Sequence, residues 1–292
     1  MFWTVILNLI VILGFGLNRQ PALVFIDGRL VTLKPEAGVT KLAAEKGALL
    51  VASDHFFVFT QRADEIQAIA SISKLMTAIV FLENNPGWDQ VYKINQTDNV
   101  LGGKINLFLG DRVTVKDLFY SSLVASDNGA TMALVHATGM SEAEFVKKMN
   151  SRARDLGLIS TYFKEPTGLS NSNVSTAREV ALLAQTAFSR KEIRQATTMA
   201  EYNFITLDGR AKKIESTDYL LLDTTSSAIK VLAGKTGYTE SAGYCFVGLL
   251  QGSSGPEVIS VVLNSSSKNE RFLESEQLVN WARNSYNWDK IN

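Results

Sequence analysis

The chain has 292 residues, 46% of them hydrophobic, enough to bury a large core as one large domain or two intimate ones. Lys and Arg balance Asp and Glu at 29 each, with no basic footprint and no long charge run, which excludes a nucleic-acid-binding protein. One cysteine, Cys245, excludes an internal disulfide, and His55 and His136 form no ligand cluster, so neither a metal site nor a cofactor is expected.

Residues 2–17 carry no charge. As a helix they would span about 24 Å, short of the ~30 Å hydrocarbon core, which favours the apolar centre of a signal peptide. Gly14-Phe15-Gly16 would be its small-x-small cleavage site. No Lys or Arg precedes the run, and the first basic residue is Arg19. Residues 1–18 therefore read as a cleaved signal peptide or a retained single N-terminal membrane anchor, with a core helix as the plain alternative. The expectation is export: a secreted or periplasmic protein, or one held on the outer face of the cytoplasmic membrane.

Residues 19–46 form a lead-in, with a short strand at 23–26 and a turn at Asp27-Gly28. Apolar runs at 47–52 and 56–60, separated by Ser53-Asp54-His55, predict a hairpin. Ile72, Leu75, Met76, Ile79 and Leu82 recur at helical spacing until Asn84-Asn85-Pro86-Gly87 stops them. Thr114 and Asp117 make a capping box for a helix to Leu123, and an apolar helix over 130–137 follows. Ser141 with Glu144, and Thr176 with Glu179, are further boxes, opening helices that end near Gly157 and Phe188. Residues 163–169 between them are a loop. Asp208-Gly209 turns a hairpin between 202–206 and 211–215. Runs at 229–232, 243–250 and 258–263 are β-rich, and a last helix over about 270–286 buries Phe272, Val279 and Tyr286. Cys245 falls in an apolar run and reads as a buried, inert thiol. Strands, then helices, then strands and a helix predict an α+β fold. Both chain ends would close one antiparallel sheet, with residues 71–190 packed on it as a helical lobe and the site between.

Ser71 and Lys74 stand three residues apart at the head of the first apolar-periodic run. That step is nearly one helical turn, so the two share a face, as a nucleophile and its base would. The pattern recurs at Ser265 and Lys268, read as a polar loop, and S-x-N occurs at both Ser126-Asp127-Asn128 and Ser285-Tyr286-Asn287. Lys235-Thr236-Gly237 occurs once. A lysine is a base only when neutral. From a reference pKa of ~10.4, half-deprotonation at pH 7 costs roughly 4.6 kcal/mol. Burial and the charge of a second lysine, Lys235, both push that way.

In this order the three motifs are the set shared by penicillin-binding proteins and class A β-lactamases. The likeness extends well beyond them. Ala70 to Ala78 is similar to A-S-[LI]-T-K-L-M-T-A with Ser73 in place of threonine, and Lys235 to Tyr244 fits K-T-G-x-T-x-x-A-G-Y. Pro166 to Leu169 fits P-T-G-L, Ser175 to Glu179 fits S-T-A-R-[DE], and Arg271-x-x-Glu274-Ser275 fits R-x-x-E-S. From about residue 47 to 288 the chain resembles the serine-type D-alanyl-D-alanine carboxypeptidases, the low-molecular-mass penicillin-binding proteins. The resemblance implies a penicillin-recognising, transpeptidase-like fold with residues 47–288 as catalytic domain. It also implies peptidoglycan stem peptides as substrates and β-lactams as covalent inhibitors. Many members continue past the last helix into a β-rich domain and an amphipathic helix. Asp127 stands where members more often carry a small residue.

In the family's chemistry, Ser71 attacks the carbonyl of the penultimate D-alanine and Lys74 takes its proton. The resemblance further implies that Ser126 relays a proton to the leaving amine and that Asn128 holds Lys74 or the substrate amide. Lys235, Thr236 and Thr239 would take the terminal carboxylate, with Arg271 as a further cation. Backbone N–H groups of Ser71 and Tyr238 would hold the oxyanion, and Gly237 would let the edge strand approach the substrate. A solvated charge at a helix start is the other reading of Arg271. D,D-Endopeptidase action on cross-links uses the same residues and is the nearest rival. A class A β-lactamase would use Glu165, but Thr167-Gly168-Leu169 departs from its pattern. A membrane-tethered β-lactam sensor that stays acylated is the remaining alternative.

Overall fold

The computed structural model describes residues 23–288 apart from 27, 28, 36, 39, 101, 104 and 223–228. The expected signal or anchor and the expected turn at Asp27-Gly28 lie outside the described residues. Among the described residues no helix is long and apolar enough to cross a membrane. The strands in chain order are β1 Leu23–Ile26, β2 Arg29–Thr32, β3 Lys46–Val51, β4 Phe57–Gln61, β5 Gln67–Ala68, β6 Val91–Lys93 and β7 Arg112–Thr114. They continue as β8 Val174–Ser175, β9 Glu201–Ile205, β10 Ala211–Glu215, β11 Lys230–Thr239, β12 Gly243–Gln251 and β13 Glu257–Ser265. The helices are α1 Lys74–Leu82, α2 Val115–Val124, α3 Asn128–Ala137, α4 Glu142–Asp155, α5 Ala177–Phe188, α6 Lys191–Thr197 and α7 Glu270–Ser285.

The principal sheet is antiparallel, in the order β11-β12-β13-β3-β4. Its closing seam pairs β13 with β3, Val261 opposite Ala48, so the two ends of the chain meet in one sheet as expected. Side chains alternate between two cores. Ala48 and Leu50 of β3, with Cys245, Val247 and Leu249 of β12, face the helical lobe. Leu49 and Val51, with Phe246 and Leu250, face the opposite way, toward α7. A sheet covered on both faces needs apolar residues at every position, which is why these strands read as unbroken apolar runs.

α5 lies on one face of the sheet against β3, β12 and β13, and α7 on the other against β12 and β13. The lobe expected over residues 71–190 therefore divides. α5 is the layer on the sheet, and α1 packs on it with α3 and α4 behind. α6, which the pattern did not anticipate, extends the lobe to β11; its first turn has no side-chain cap, so no local signal marked it. Thr114 and Ser141 close their capping boxes. The third box is only half made. Thr176 accepts from Glu179 N, but the Glu179 carboxylate turns away from Thr176 to accept from Ser160 N and Thr161 Oγ1.

Glu274, buried in the second turn of α7, ties the two chain ends together. One carboxylate oxygen accepts from Ala44 N at 2.5 Å and the other from Ser265 Oγ at 2.6 Å. Ser265, of the repeated S-x-x-K, is thus committed to the fold. Further along α7, Lys34 N donates to Ser285 O and Asn287 N to Thr32 O, so the lead-in belongs to the same packed unit. Glu274→Ala should remove two charge-assisted bonds, at roughly 1.5–3 kcal/mol each, and leave a buried N–H unpaired. We expect a urea unfolding midpoint lowered by the equivalent of at least about 3 kcal/mol, partly restored in Glu274→Gln. An unchanged midpoint would remove Glu274 from this role.

Candidate active site

Residues Ala70–Ser73 form a single 3-10 turn that runs into α1. Ser71 and Lys74 therefore straddle a turn–helix junction rather than one uniform helix, yet their side chains meet as the spacing predicts. Lys74 Nζ lies 3.0 Å from Ser71 Oγ. It also donates to Asn128 Oδ1 at 2.7 Å and to the carbonyl of Thr167 at 2.6 Å. Asn128 opens α3, whose N-cap is Asp127. Thr167 belongs to the 163–169 loop, which Thr77 Oγ1 fastens to α1 by donating to Pro166 O at 2.6 Å.

Two glycines let backbone close in on the nucleophile. Gly168 has φ +88°, and a Cβ there would lie 2.0 Å from Ala70 O. From the sheet side, a Cβ on Gly237 would lie 2.9 Å from Ile69 O and 3.3 Å from Ser71 N. Ala70 (φ 48°) and Ser126 (φ 58°) are non-glycine residues in the left-handed region. Such positions cost about 1–3 kcal/mol each and persist only where the surroundings over-determine them. Here one immediately precedes Ser71 and the other lines the same cleft as Ser71.

Electrostatics follow from burial. Lys74 is fully buried, and loss of solvent pushes its pKa down to about 7, although the carboxylates of Glu165 and Asp127 draw it back up. Lys235 is buried on β11 and donates to Ser126 Oγ at 2.8 Å and to Thr236 O at 3.0 Å. Burial, then the charges of Lys74 and Arg271, hold its pKa well below the usual lysine range, against an opposing pull from Asp218. For both lysines burial is the largest cause of the shift. Asp218 is itself raised to about 7 by burial, against the Leu220 N–H and the charges of Arg271 and Lys235.

Ser71, Ser126, Asn128, Thr236, Gly237, Tyr238 and Arg271 line one cleft of about 820 Å³. Lys74 and Lys235 lie behind its wall and reach it through Ser71 and Ser126. Arg271 is only 3% exposed, so it is not a solvated charge at a helix start. Its Nη1 donates to the carbonyls of Gly237 and Cys245, at 3.2 and 3.3 Å, which fixes a cation at the base of the cleft. Thr239 is not among the residues that line the cleft; its hydroxyl accepts from Ala242 N in the turn after β11. Cys245 is buried, with its thiol pushed up to about 11 by desolvation, as an inert group should be. Glu165 does not line the cleft either. Its carboxylate accepts from Thr167 N and Oγ1, Gly168 N and Ser170 N, folding the loop on itself.

Several participants carried no signal in the sequence. Thr217 Oγ1 lies 2.6 Å from Thr236 Oγ1 and joins the cleft wall. Asn173 Nδ2 donates to Ser73 Oγ and to Glu165 O, fastening the loop to the nucleophile's turn. The β9–β10 hairpin sets Glu201, Lys213 and Glu215 at the mouth, with Lys213 Nζ 3.1 Å from Glu201 and 3.5 Å from Glu215. All are ordinary polar residues in polar stretches, and only tertiary contact singles them out.

A serine hydroxyl beside a desolvated lysine, under the edge strand of a sheet covered by helices, defines a serine acyl-transfer enzyme of the penicillin-recognising fold. Residues 37–267 match the D-alanyl-D-alanine carboxypeptidase family, and the chain belongs to it as a serine-type hydrolase. It is 34% identical over 207 residues to the D-alanyl-D-alanine endopeptidase of Haemophilus influenzae, covering 70% of each chain. It is 30% identical over 289 residues to the D-alanyl-D-alanine carboxypeptidase DacF of Bacillus subtilis, covering 92% of this chain and 72% of that one. Penicillin-binding protein D2 from Listeria monocytogenes, in its cefotaxime bound form, superposes with a TM-score of 0.71 at 30% identity, covering 84% of this chain and 98% of that one. The fold class and family expected from the motifs both hold.

Gly168→Ala tests the packing of the loop on the nucleophile's turn. A methyl group 2.0 Å from Ala70 O must displace Thr167 and Ser71 relative to each other. A misplacement near 1 Å costs on the order of a hundredfold in rate, so labelling of the protein by a fluorescent penicillin should slow by about that factor. Unslowed labelling would show that the close approach is dispensable.

Proposed function

We propose that the protein acts outside the cytoplasm as a D,D-carboxypeptidase that removes the terminal D-alanine from peptidoglycan stem pentapeptides. Residues 47–288 would be its catalytic domain and residues 1–18 its export signal or anchor. The observation that carries the reading is the threefold contact of Lys74. A neutral amine has two N–H groups and one lone pair. With the N–H groups on Asn128 Oδ1 and Thr167 O, the lone pair faces Ser71 Oγ and can take its proton.

Ser71 Oγ then attacks the carbonyl carbon of the penultimate D-alanine. The oxyanion that forms is held by the N–H groups of Ser71 and Tyr238, contacts whose loss typically costs roughly 3 kcal/mol. As the C–N bond breaks, the departing amine takes a proton from Ser126, whose oxygen already accepts from Lys235, and Ser126 regains a proton from the protonated Lys74, which is neutral again for the second half of the reaction. Thr236, Lys235 and the internal cation Arg271 receive the terminal carboxylate; Thr239 drops out of this set. Water, deprotonated by Lys74, resolves the acyl-enzyme. β-Lactams would acylate Ser71 in the same way. Glu165, bound up in its own loop, is not free to serve as a deacylating base, which weighs against a β-lactamase. The likeness to the H. influenzae endopeptidase favours one second reading, cleavage of cross-links by the same residues.

Two measurements test this. Ser71→Ala should lose both D-alanine release and covalent labelling by a fluorescent penicillin; labelling that persisted would place the nucleophile elsewhere. Digestion of purified muropeptides by the unmodified protein should consume monomeric pentapeptide, whereas preferential consumption of cross-linked dimers would establish the endopeptidase.

The pH dependence has a definite sign. Lys74 is charged below its pKa and neutral above it, so acylation should rise with pH through a limb near 7. Glu165→Gln, which removes a carboxylate that stabilises the charged form, should move that limb to lower pH. A limb for the unmodified protein at about 9 or higher, near an unperturbed lysine, would exclude Lys74 as the base.

A further inference from the structure

We infer that Asp127 is a positioning residue of the acylation site, clamping the segment that carries Gly102, Gly103 and Asn106 against Asn128 and so fixing Asn128 and Ser126 around Lys74. The inference rests on the serine–lysine reading above and adds a residue to it. Capping α3 requires one oxygen, and Asp127 Oδ1 supplies it by accepting from Ala130 N at 2.9 Å. A serine could do as much. The second oxygen serves another segment. Oδ2 accepts from both Asn106 N at 3.1 Å and Asn106 Nδ2 at 2.8 Å. The carboxylate is 3% exposed, so these charge-assisted bonds form away from water, where they count most.

Asn106 is held from its other side as well. Its carbonyl accepts from Lys212 Nζ at 2.9 Å, and Lys212, on β10, pairs with the buried Asp111. Gly102 and Gly103, close to Asn106 in the chain, form the wall against which Asn128 rests. Asn128 Nδ2 donates to Gly102 O at 2.8 Å, and a Cβ on Gly103 would lie 3.3 Å from the same nitrogen. With Nδ2 committed to this wall, Asn128 Oδ1 points at Lys74. On the other side of Asp127, Ser126 is kept in its left-handed conformation. Next to the clamp is a hollow of about 160 Å³, lined in part by Ile105, Phe108 and Asp127.

The charge of Asp127 acts on the site too. Together with Glu165, it favours the protonated form of Lys74, against burial. Among the described residues, Asp98 and His136, paired beside the hollow, and Lys212 and Asp111 beyond Asn106, are other charged or titratable groups around the clamp. Clamp and charge are carried by one side chain, so two variants separate them. Asp127→Asn keeps the capping oxygen but sets an amide donor against two donors and removes the charge. Asn106→Ala cuts one bond of the clamp and leaves the charge.

The test is the rate of acylation by a fluorescent penicillin, followed across pH in the full chain, with melting temperatures alongside. Both variants should still label Ser71 to completion, with plateau rates lowered between about tenfold and a hundredfold. Only Asp127→Asn should shift the acid limb to lower pH. The double variant should lose little more than Asp127→Asn alone, because both act through one clamp. Unchanged plateau rates in both variants, or fully additive losses, would overturn the inference, as would an unmoved acid limb in Asp127→Asn. Should Asp127→Asn fail to fold, Asn106→Ala decides by its plateau rate alone. If instead the unmodified protein fails to label, or labels at a residue other than Ser71, it is the serine–lysine reading that falls.

Discussion

Lys74 sits at the first turn of α1 with no exposure to water, and its ammonium group is surrounded by three oxygens that belong to three different parts of the chain. A charged amine in such a place is costly, and the protein meets the cost by lowering its pKa rather than by supplying an ion pair. Two carboxylates, Glu165 and Asp127, are near enough to temper the shift but make no hydrogen bond to Nζ. The balance leaves a base that changes protonation near neutral pH, which is where general-base catalysis is most effective.

Such a balance survives only in a rigid setting. α1 is buried along almost its whole length, and its partners are fastened to it through Thr77 and Pro166, Ser73 and Asn173, and Lys74 and Thr167. On the sheet side, Gly237 brings β11 against the turn that bears Ser71. The sheet is held in place by α7, where Arg271 bonds carbonyls of β11 and β12 and Glu274 bonds the lead-in to the end of β13. The R-x-x-E-S stretch is therefore both a scaffold and, through Arg271, a wall of the cleft.

The elements that were legible from residues alone are those whose signals are local. Asp208-Gly209 turns a hairpin because two residues decide its backbone, and Thr114 with Asp117 caps α2 because the partners lie one turn apart. Where a side chain had a choice of partners, tertiary structure made it. Glu179 left its capping box for Ser160 and Thr161, and the Thr239 hydroxyl accepts from Ala242 N in the turn after β11. α6 formed against α2 and β11 without a capping signal of its own. In the same way, the spacing of Ser71 and Lys74 implied contact but not the 3-10 turn between them, and of the two causes expected to depress Lys74, burial is the one that dominates.

Sequence by itself determined the family and the chemical identities at the centre: a serine, two lysines and an asparagine, in motifs too specific in order and surroundings to arise separately. It also determined that both chain ends would contribute strands, since apolar runs of strand length lie on either side of the helical stretch. What only the tertiary structure decided is how those groups behave. The pKa of Lys74, the internal placement of Arg271, the folding-back of Glu165 and the second oxygen of Asp127 depend on solvent exclusion and on partners far away in the chain. No window of neighbouring residues encodes those quantities, because desolvation is a property of everything packed around a group and not of the group's own neighbours in sequence.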